Sequence, residues 1–228
     1  MDERLIKELA ELRVELDAAM EKVANLKFCK EEFRHQIEVG FSLSTLERLD
    51  SFHLLLNNDR PYDAKILLRS ALEHFIYLRA ISSGKVNPDD IKLDFAHREA
   101  TILREARSGN PYFAKIAENI DVATQLADFE KINRALFEAG AKKRTTQDIF
   151  RKGDATNEYE SVYRSLSKQV HPTYSGLIDR HFEIDSISQD FVVFGFKKAP
   201  DASVEALLST AMGITNEVSG IIESLSSR

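Results

Sequence analysis

The most informative segment of the chain is PYDAKILLRSALEHFIYLRAIS, residues 61–82. Its apolar side chains cover most of the circumference of a helix, so we expect this helix to lie at the centre of the fold. Pro61 suits the first position of a helix, where its missing N–H is no loss. Arg69 and Glu73 lie four residues apart and therefore share a face of this helix. Since a buried charge needs a partner, the pair predicts either an internal ion-pair network or a polar pocket.

A heptad pattern precedes this segment, near the start of the chain. Apolar residues alternate in steps of four and three at Leu5, Leu9, Leu12, Leu16, Ala19, Val23 and Leu26. Such spacing forms an apolar seam along one face of a helix. We interpret residues 1–30 as an amphipathic N-terminal helix and residues 31–228 as a single helical domain. The seam can lie along its own domain or pair with a second chain; we expect self-association, and hence a homodimer, through this helix.

Apolar spacing and capping residues predict the other elements. Helices are expected at about 31–57, 88–107, 111–139, 146–151, 158–171 and 201–225. His171 precedes Pro172, and the residue before a proline avoids the helical conformation, so a helix should end or kink there. β-branched and aromatic residues on both sides of residues 188–190 predict a β-hairpin at about 181–197. The predicted fold class is mostly α, a helical bundle with one small β-hairpin before the C-terminal helix.

The composition is that of a globular protein. The chain has 228 residues, 43% of them hydrophobic and 30% charged, with a net charge of −6. Disordered and collagen-like classes are therefore excluded. No apolar stretch is long enough to span a membrane, the charged start lacks the apolar core of a signal peptide, and Cys29 has no second cysteine to pair with. We therefore expect a cytoplasmic protein without a membrane partner.

The segment from Tyr163 to Pro172 carries the clearest candidates for chemistry. Arg164, Ser167 and His171 follow one another at i, i+3 and i+7, which places them on one stripe of a helix, with Tyr163 beside it. A histidine can exchange protons near neutral pH, and an arginine can hold a phosphate. These groups suit metal-independent RNA cleavage, in which the RNA 2′-hydroxyl is the nucleophile. Because the common cofactor and metal motifs are missing from the sequence, we predict no cofactor and no metal.

Two of these residues carry a resemblance to a known family. Arg164 and His171, separated by six residues, resemble the R-x4-6-H motif of the HEPN ribonucleases, and two other Arg–His pairs of the chain share this class of spacing. The resemblance implies a helical dimer whose Arg and His line a cleft at the subunit interface.

A wider pattern resembles a bacterial domain family of unknown function, over about Glu38 to Ser224. The pattern consists of Ala64-x4-Arg69-x3-Glu73, then Tyr159-x3-Tyr163-x3-Ser167-x3-His171-Pro172, then a hairpin and a closing helix. This resemblance implies that the Arg, Glu, Ser and His converge between two core helices. It implies no assigned activity.

A basic stretch lies just before the helix that ends at His171. Residues 131–152 hold seven basic side chains and two acidic ones. Such a stretch is either a solvated loop or a surface that attracts a phosphate backbone. In the second case Lys143 and Arg144 would gather RNA.

Two functional hypotheses remain open. In the first, the protein is a HEPN-like ribonuclease of a toxin or phage-defence system, with Arg164 and His171 catalytic and RNA as a partner. The binding residues are then Arg69, Glu73, Tyr163, Ser167, Lys143 and Arg144. In the second, the protein is a non-catalytic protein-interaction module, and its Arg/Glu/His cluster is structural.

Overall fold

The computed structural model describes residues 2–185 and 187–226. The helices are α1 Glu3–Ala24, α2 Phe33–Asn57, α3 Pro61–Ser82, α4 Pro88–Arg107, α5 Ala114–Asn119, α6 Val122–Glu138, α7 Thr146–Lys152, α8 Thr156–Glu158, α9 Arg164–Val170, α10 Tyr174–His181 and α11 Asp201–Ser226. A 3-10 turn, Pro111–Phe113, precedes α5, and a π-helical turn, Tyr159–Tyr163, joins α8 to α9. Strands β1 Phe182–Ile184 and β2 Phe191–Val193 pair antiparallel. The structure confirms a mostly α fold with a small hairpin before the C-terminal helix.

Helix α3 lies at the centre of the bundle, as its apolar circumference predicts. Leu68, Ile76 and Leu78 of this helix are fully buried. α3 contacts α2 along its length and also contacts α7, α9 and α11. The same helix therefore supports the core and carries Arg69 and Glu73 toward α9.

The seam of α1 is buried inside its own chain. Leu5, Leu12 and Leu16 are fully buried in the core that also contains residues of α2, α3 and α11. Of the two arrangements that the heptad pattern allows, the structure therefore shows the helix lying along its own domain. Because the seam is covered, these leucines do not offer a surface to a second chain. Self-association through this helix stays a prediction.

Helix α11 closes the bundle against α1 and α3. Its apolar face is buried, and its other face makes ion pairs, in which Arg4 binds Glu205 at 2.6 Å and Arg79 binds Glu217 at 2.8 Å. Within the described ranges, no helix combines the length and the apolarity needed to cross a membrane.

The helix expected at 111–139 is divided in two, so this expectation is wrong. Ile120 has extended backbone angles and ends α5. Asp121 then caps α6, because its carboxylate accepts a hydrogen bond from the Thr124 N–H at 3.1 Å. Helices α4 and α6 enclose a small second core of Ala100, Leu103 and Leu126.

Helix α10 is absent from the predicted elements. Thr173 caps it, and the Thr173 hydroxyl accepts a hydrogen bond from the Gly176 N–H at 3.1 Å. Gly176 lies so close to α9 that a Cβ at this position would be 2.2 Å from the carbonyl oxygen of Lys168. The backbone of α10 therefore packs directly against the end of α9.

Candidate functional site

A polar network joins α3 to α9 and to the π-helical turn that precedes α9. Arg69 Nε donates to Ser167 Oγ at 3.0 Å, and Arg69 Nη2 donates to the Tyr163 hydroxyl at 2.5 Å and to Glu73 Oε1 at 3.3 Å. The Tyr163 hydroxyl in turn donates to Glu73 Oε1 at 2.5 Å. Four residues singled out from two distant segments of sequence thus lie in one network, which we call the α3–α9 network.

Helical spacing and aromatic stacking place these four side chains. Arg69 and Glu73 are one helical turn apart on α3, and Tyr163 and Ser167 are one turn apart beside it. Tyr163 ends the π-helical turn, where the Arg164 N–H bonds the Tyr159 carbonyl five residues back. The Tyr163 ring stacks on Tyr159, with ring centroids 5.2 Å apart. The position of the Tyr163 hydroxyl is therefore fixed by packing as well as by hydrogen bonds.

The α3–α9 network is largely shielded from water. Tyr163 is 7% exposed, and the side chains of Arg69 and Glu73 are 17% and 22% exposed. Burial, together with the neighbouring Glu73 carboxylate, raises the pKa of Tyr163. The hydroxyl therefore stays protonated and serves as a donor at neutral pH. A network that satisfies its own charges in this way holds two helices together.

Glu73 also faces a cleft of about 460 Å³ on the other side of the network. The cleft lies between α2, α3 and α4, and its walls include Phe41, Tyr77, His74 and Arg144. Burial, and to a smaller extent the Arg48 charge, lowers the pKa of His74 to about 4. His74 is therefore uncharged at neutral pH.

The two basic residues expected to gather RNA lie in different environments. Arg144 Nε binds Asp90 Oδ2 at 2.9 Å, and Asp90 is 3% exposed. Asp90 also accepts a hydrogen bond from the Lys142 N–H at 2.7 Å. Arg144 thus fixes the loop before α7 to α4, whereas Lys143 is exposed to solvent.

Arg164 and His171 lie on the outer, solvent-exposed side of α9. His171 ends the helix with an extended ψ of 145°, as expected for the residue before Pro172. Arg164 forms an ion pair with Glu160. Among the described residues, no hydrogen bond or ion pair joins the His171 side chain to the α3–α9 network. The hydrogen-bonded network thus contains the Arg, the Glu and the Ser of the expected cluster but not the His, whose side chain is exposed to solvent.

Lys168 lies between Arg164 and His171 in sequence and shares their exposed face. Lys168 is four residues after Arg164 and three before His171, so the three side chains form one stripe. We call Arg164, Lys168 and His171 the outer stripe. All three are exposed. The spacing of Lys168 was visible in the sequence, but lysine is common on solvated helix faces and so gives little signal.

A second cavity of about 460 Å³ lies beside the outer stripe, between α9, α10 and α11. We call it the α9–α11 groove. Lys65, Lys168, Gln169 and Asp179 are among its lining residues. Lys65, which no motif marks, is one helical turn before Arg69 on α3. That position was the only sequence signal for the groove.

Comparison with known proteins gives a family but no activity. No curated protein and no solved structure matches the chain. The resemblance to HEPN ribonucleases therefore rests on the Arg164–His171 spacing alone. A family model matches residues 35–189, which include the α3–α9 network and the outer stripe. The chain belongs to that family, the family of unknown function DUF5677.

Proposed function

We propose that this protein is a metal-independent endoribonuclease that contacts RNA through the outer stripe of α9. The observation that carries the proposal is the placement of Arg164, Lys168 and His171 on one solvent-exposed face of a helix. The adjoining face of the same helix is held by the α3–α9 network through Tyr163 and Ser167. The stripe thus combines a proton-exchanging group and two cations on a rigidly supported element, as catalysis requires.

The chemistry that these groups support is transesterification within the RNA. The His171 imidazole accepts the proton of a 2′-hydroxyl, and the 2′ oxygen forms a bond to the adjacent phosphorus. The bond from phosphorus to the 5′ oxygen breaks, and that oxygen takes up a proton from water. Arg164 and Lys168 stabilise the negative charge that develops on the phosphate oxygens. The products are a 2′,3′-cyclic phosphate and a 5′-hydroxyl.

The ion pair of Arg164 with Glu160 is compatible with this role. Their side chains are 64% and 48% exposed, and ion pairs between exposed side chains contribute little to stability. A phosphate can therefore replace the Glu160 carboxylate at small cost. Lys143, exposed in the basic stretch, adds long-range attraction for RNA, whereas Arg144 acts as a structural tie.

The resemblance to HEPN ribonucleases also bears on the oligomeric state and the biological role of the protein. HEPN ribonucleases are dimers with Arg and His at the subunit interface, so we infer a homodimer that brings two outer stripes together. An exposed Cys29 without a second cysteine in the chain fits a reducing compartment, so we infer a cytoplasmic location. A toxin or phage-defence role is consistent with a cytoplasmic ribonuclease.

The test is cleavage of single-stranded RNA in the presence of a metal chelator. We expect His171→Ala to lower the rate by about 10²–10⁴-fold, the usual contribution of a positioned acid–base group. His97→Ala, on α4 and away from the outer stripe, is the matched control and should keep the wild-type rate. Equal rates for wild type and His171→Ala would eliminate His171 as the base.

A second candidate function is supported by a different surface. Large apolar side chains are exposed on α10 and the hairpin: Tyr174, Leu177, Val193 and Phe196 are 50–78% exposed. Helix α10 contacts β1, which pairs with β2, so these side chains lie on neighbouring elements. Exposed apolar patches mark interaction sites in soluble proteins. In this alternative the α3–α9 network is purely structural, and the partner binds here, since the α1 seam is already covered.

This alternative predicts a different result. If it holds, wild type and His171→Ala both lack RNA cleavage, while Leu177→Asp changes the mass of the native complex measured by light scattering. A Leu177→Asp variant with unchanged mass would count against it.

A further inference from the structure

The α9–α11 groove has the size and position of a small-molecule site. Its volume is about 460 Å³, within the range of 300–1,000 Å³ that ligand pockets occupy. Side chains from four helices line it: Lys65 of α3, Gln169 of α9, Asp179 of α10, and Ser203 and Leu207 of α11. Residues so far apart in sequence form a shared cavity only because the bundle brings these helices together.

Lys65 places a positive charge in this groove. Its side chain is only 13% exposed, and burial lowers the pKa of the ammonium group. Lys65 Nζ is 3.7 Å from Asp179 Oδ2 and 4.4 Å from the centre of the Tyr62 ring. A distance of 3.7 Å allows an ion pair but is longer than a hydrogen bond. The ammonium group therefore keeps donors for a ligand.

Other polar groups of the groove also lack protein partners. Gln169 Nε2 donates to Asp179 Oδ2 at 2.8 Å, but the buried Gln169 Oε1 has no hydrogen-bond partner. The Gln169 amide therefore holds the Asp179 carboxylate beside Lys65. Among the described residues, the Ser165 hydroxyl on α9 and the Ser203 hydroxyl on α11 make no hydrogen bond to the protein.

The remaining surface of the groove defines the ligand further. Val162, Leu166 and Leu207 form an apolar wall. Lys65 and Lys168 outnumber the one carboxylate, Asp179, among the charged side chains that line the groove. A ligand that satisfies these walls carries a negative group, hydroxyls and an apolar surface.

We propose that the α9–α11 groove binds a mononucleotide. The phosphate lies near Lys65 and Lys168, the ribose hydroxyls lie between Ser165 and Ser203, and the base lies on the apolar wall. This site does not depend on RNA cleavage. Lys168 belongs to both the groove and the outer stripe, so a nucleotide bound here lies beside the surface proposed to hold RNA.

The test is titration of the full chain with adenosine 5′-monophosphate, followed by amide NMR shifts. We expect shifts at residues of α9 and the first half of α11. Inorganic phosphate and adenosine, titrated separately, should each bind at least about tenfold more weakly, since each makes only part of the contacts. Phosphate that binds as tightly as the nucleotide would reduce the groove to an anion site and overturn the proposal.

Two pairs of variants locate the binding. Lys65→Met removes the charge at similar length and should weaken nucleotide binding at least about tenfold, while Lys131→Met, an exposed control on α6, should not. Ala206→Trp fills the groove from an exposed position of α11, and Ser209→Trp adds the same bulk outside its lining. Full affinity in Ala206→Trp would overturn the proposal even if Lys65→Met does not fold.

The two proposals fail separately. Loss of nucleotide binding in Ala206→Trp without loss of RNA cleavage leaves the groove as a site of its own. If the protein binds the nucleotide but cleaves no RNA, the proposal of a mononucleotide site is supported and the ribonuclease proposal is overturned.

Discussion

Tyr163 is the residue that connects the charges of the α3–α9 network. Its hydroxyl accepts from Arg69 and donates to Glu73, each at 2.5 Å. Tyr163→Phe leaves both groups without that partner in a site mostly closed to water. We expect the free energy of unfolding in urea to fall by about 1–3 kcal/mol. Tyr112→Phe, at a side chain 93% exposed, is the control and should leave it unchanged; an equal effect of both substitutions would show that the network contributes nothing.

His74 makes stability depend on pH. Its pKa is lowered from 6.5 to about 4 in the folded chain, chiefly by burial. Between these values the unfolded chain binds a proton that the folded chain does not, so stability falls as pH drops from about 6.5 to about 4. With allowance for solvent screening of a side chain that is only partly buried, the loss is about 1 kcal/mol.

The measurement is urea unfolding at pH 7.5 and pH 4.5 for wild type and His74→Phe. The variant cannot bind this proton, so its stability should decrease less over the same interval. Parallel pH dependence of the two proteins would show that His74 titrates alike in both states.

Residue spacing predicts the α3–α9 network better than it predicts the outer stripe. Arg69 with Glu73, and Tyr163 with Ser167, are each one turn apart, and helical periodicity is local information. That His171 stands outside the network depends on how α9 packs against α3, which is a tertiary property. The attachment of Arg144 to Asp90 is likewise invisible, because the two residues are joined only by the folding of α4 against the loop before α7.

At the level of elements, the close packing of α10 against the end of α9 requires a glycine at position 176. A Cβ there would lie 2.2 Å from the Lys168 carbonyl oxygen, so Gly176→Ala must push the two helices apart. We expect a loss of about 1–3 kcal/mol in the free energy of unfolding, as for other overpacked sites. Gly213→Ala, in α11 with open space around it, should instead be neutral or stabilising.

Circular dichroism during thermal unfolding compares the two variants. A Gly176→Ala protein as stable as Gly213→Ala would contradict the close contact between α9 and α10.

The sequence predicts an element well when its capping residues and its apolar spacing indicate the same boundaries. α3 and α4 begin at a proline in the first position and follow one apolar period, and both were predicted with their ends. The break at Ile120 was missed because the apolar spacing runs on across it, while the cap supplied by Asp121 is a single local contact. The π-helical turn before α9 was missed because one extra residue in a turn leaves no compositional mark.

In the whole molecule, the heptad seam of α1 shows that apolar spacing predicts a buried helix face but not the element that covers it. Alternating steps of three and four describe a helix that buries one face, whatever covers that face. Here α2 and α11 of the same chain cover it, and α11 lies almost the whole chain away in sequence. Composition and periodicity predict a helical bundle with a hairpin, but the partner of each apolar face is decided by packing.

The chemical identity of the RNA ends tests the ribonuclease proposal most directly. Single-stranded RNA is incubated with wild type and with His171→Ala, purified in parallel, in the presence of a chelator. The proposal predicts 2′,3′-cyclic phosphate and 5′-hydroxyl ends from wild type only, and no cleavage of the all-2′-deoxy strand. Ends bearing a 3′-hydroxyl and a 5′-phosphate, or cyclic phosphate formed equally by His171→Ala, would contradict it.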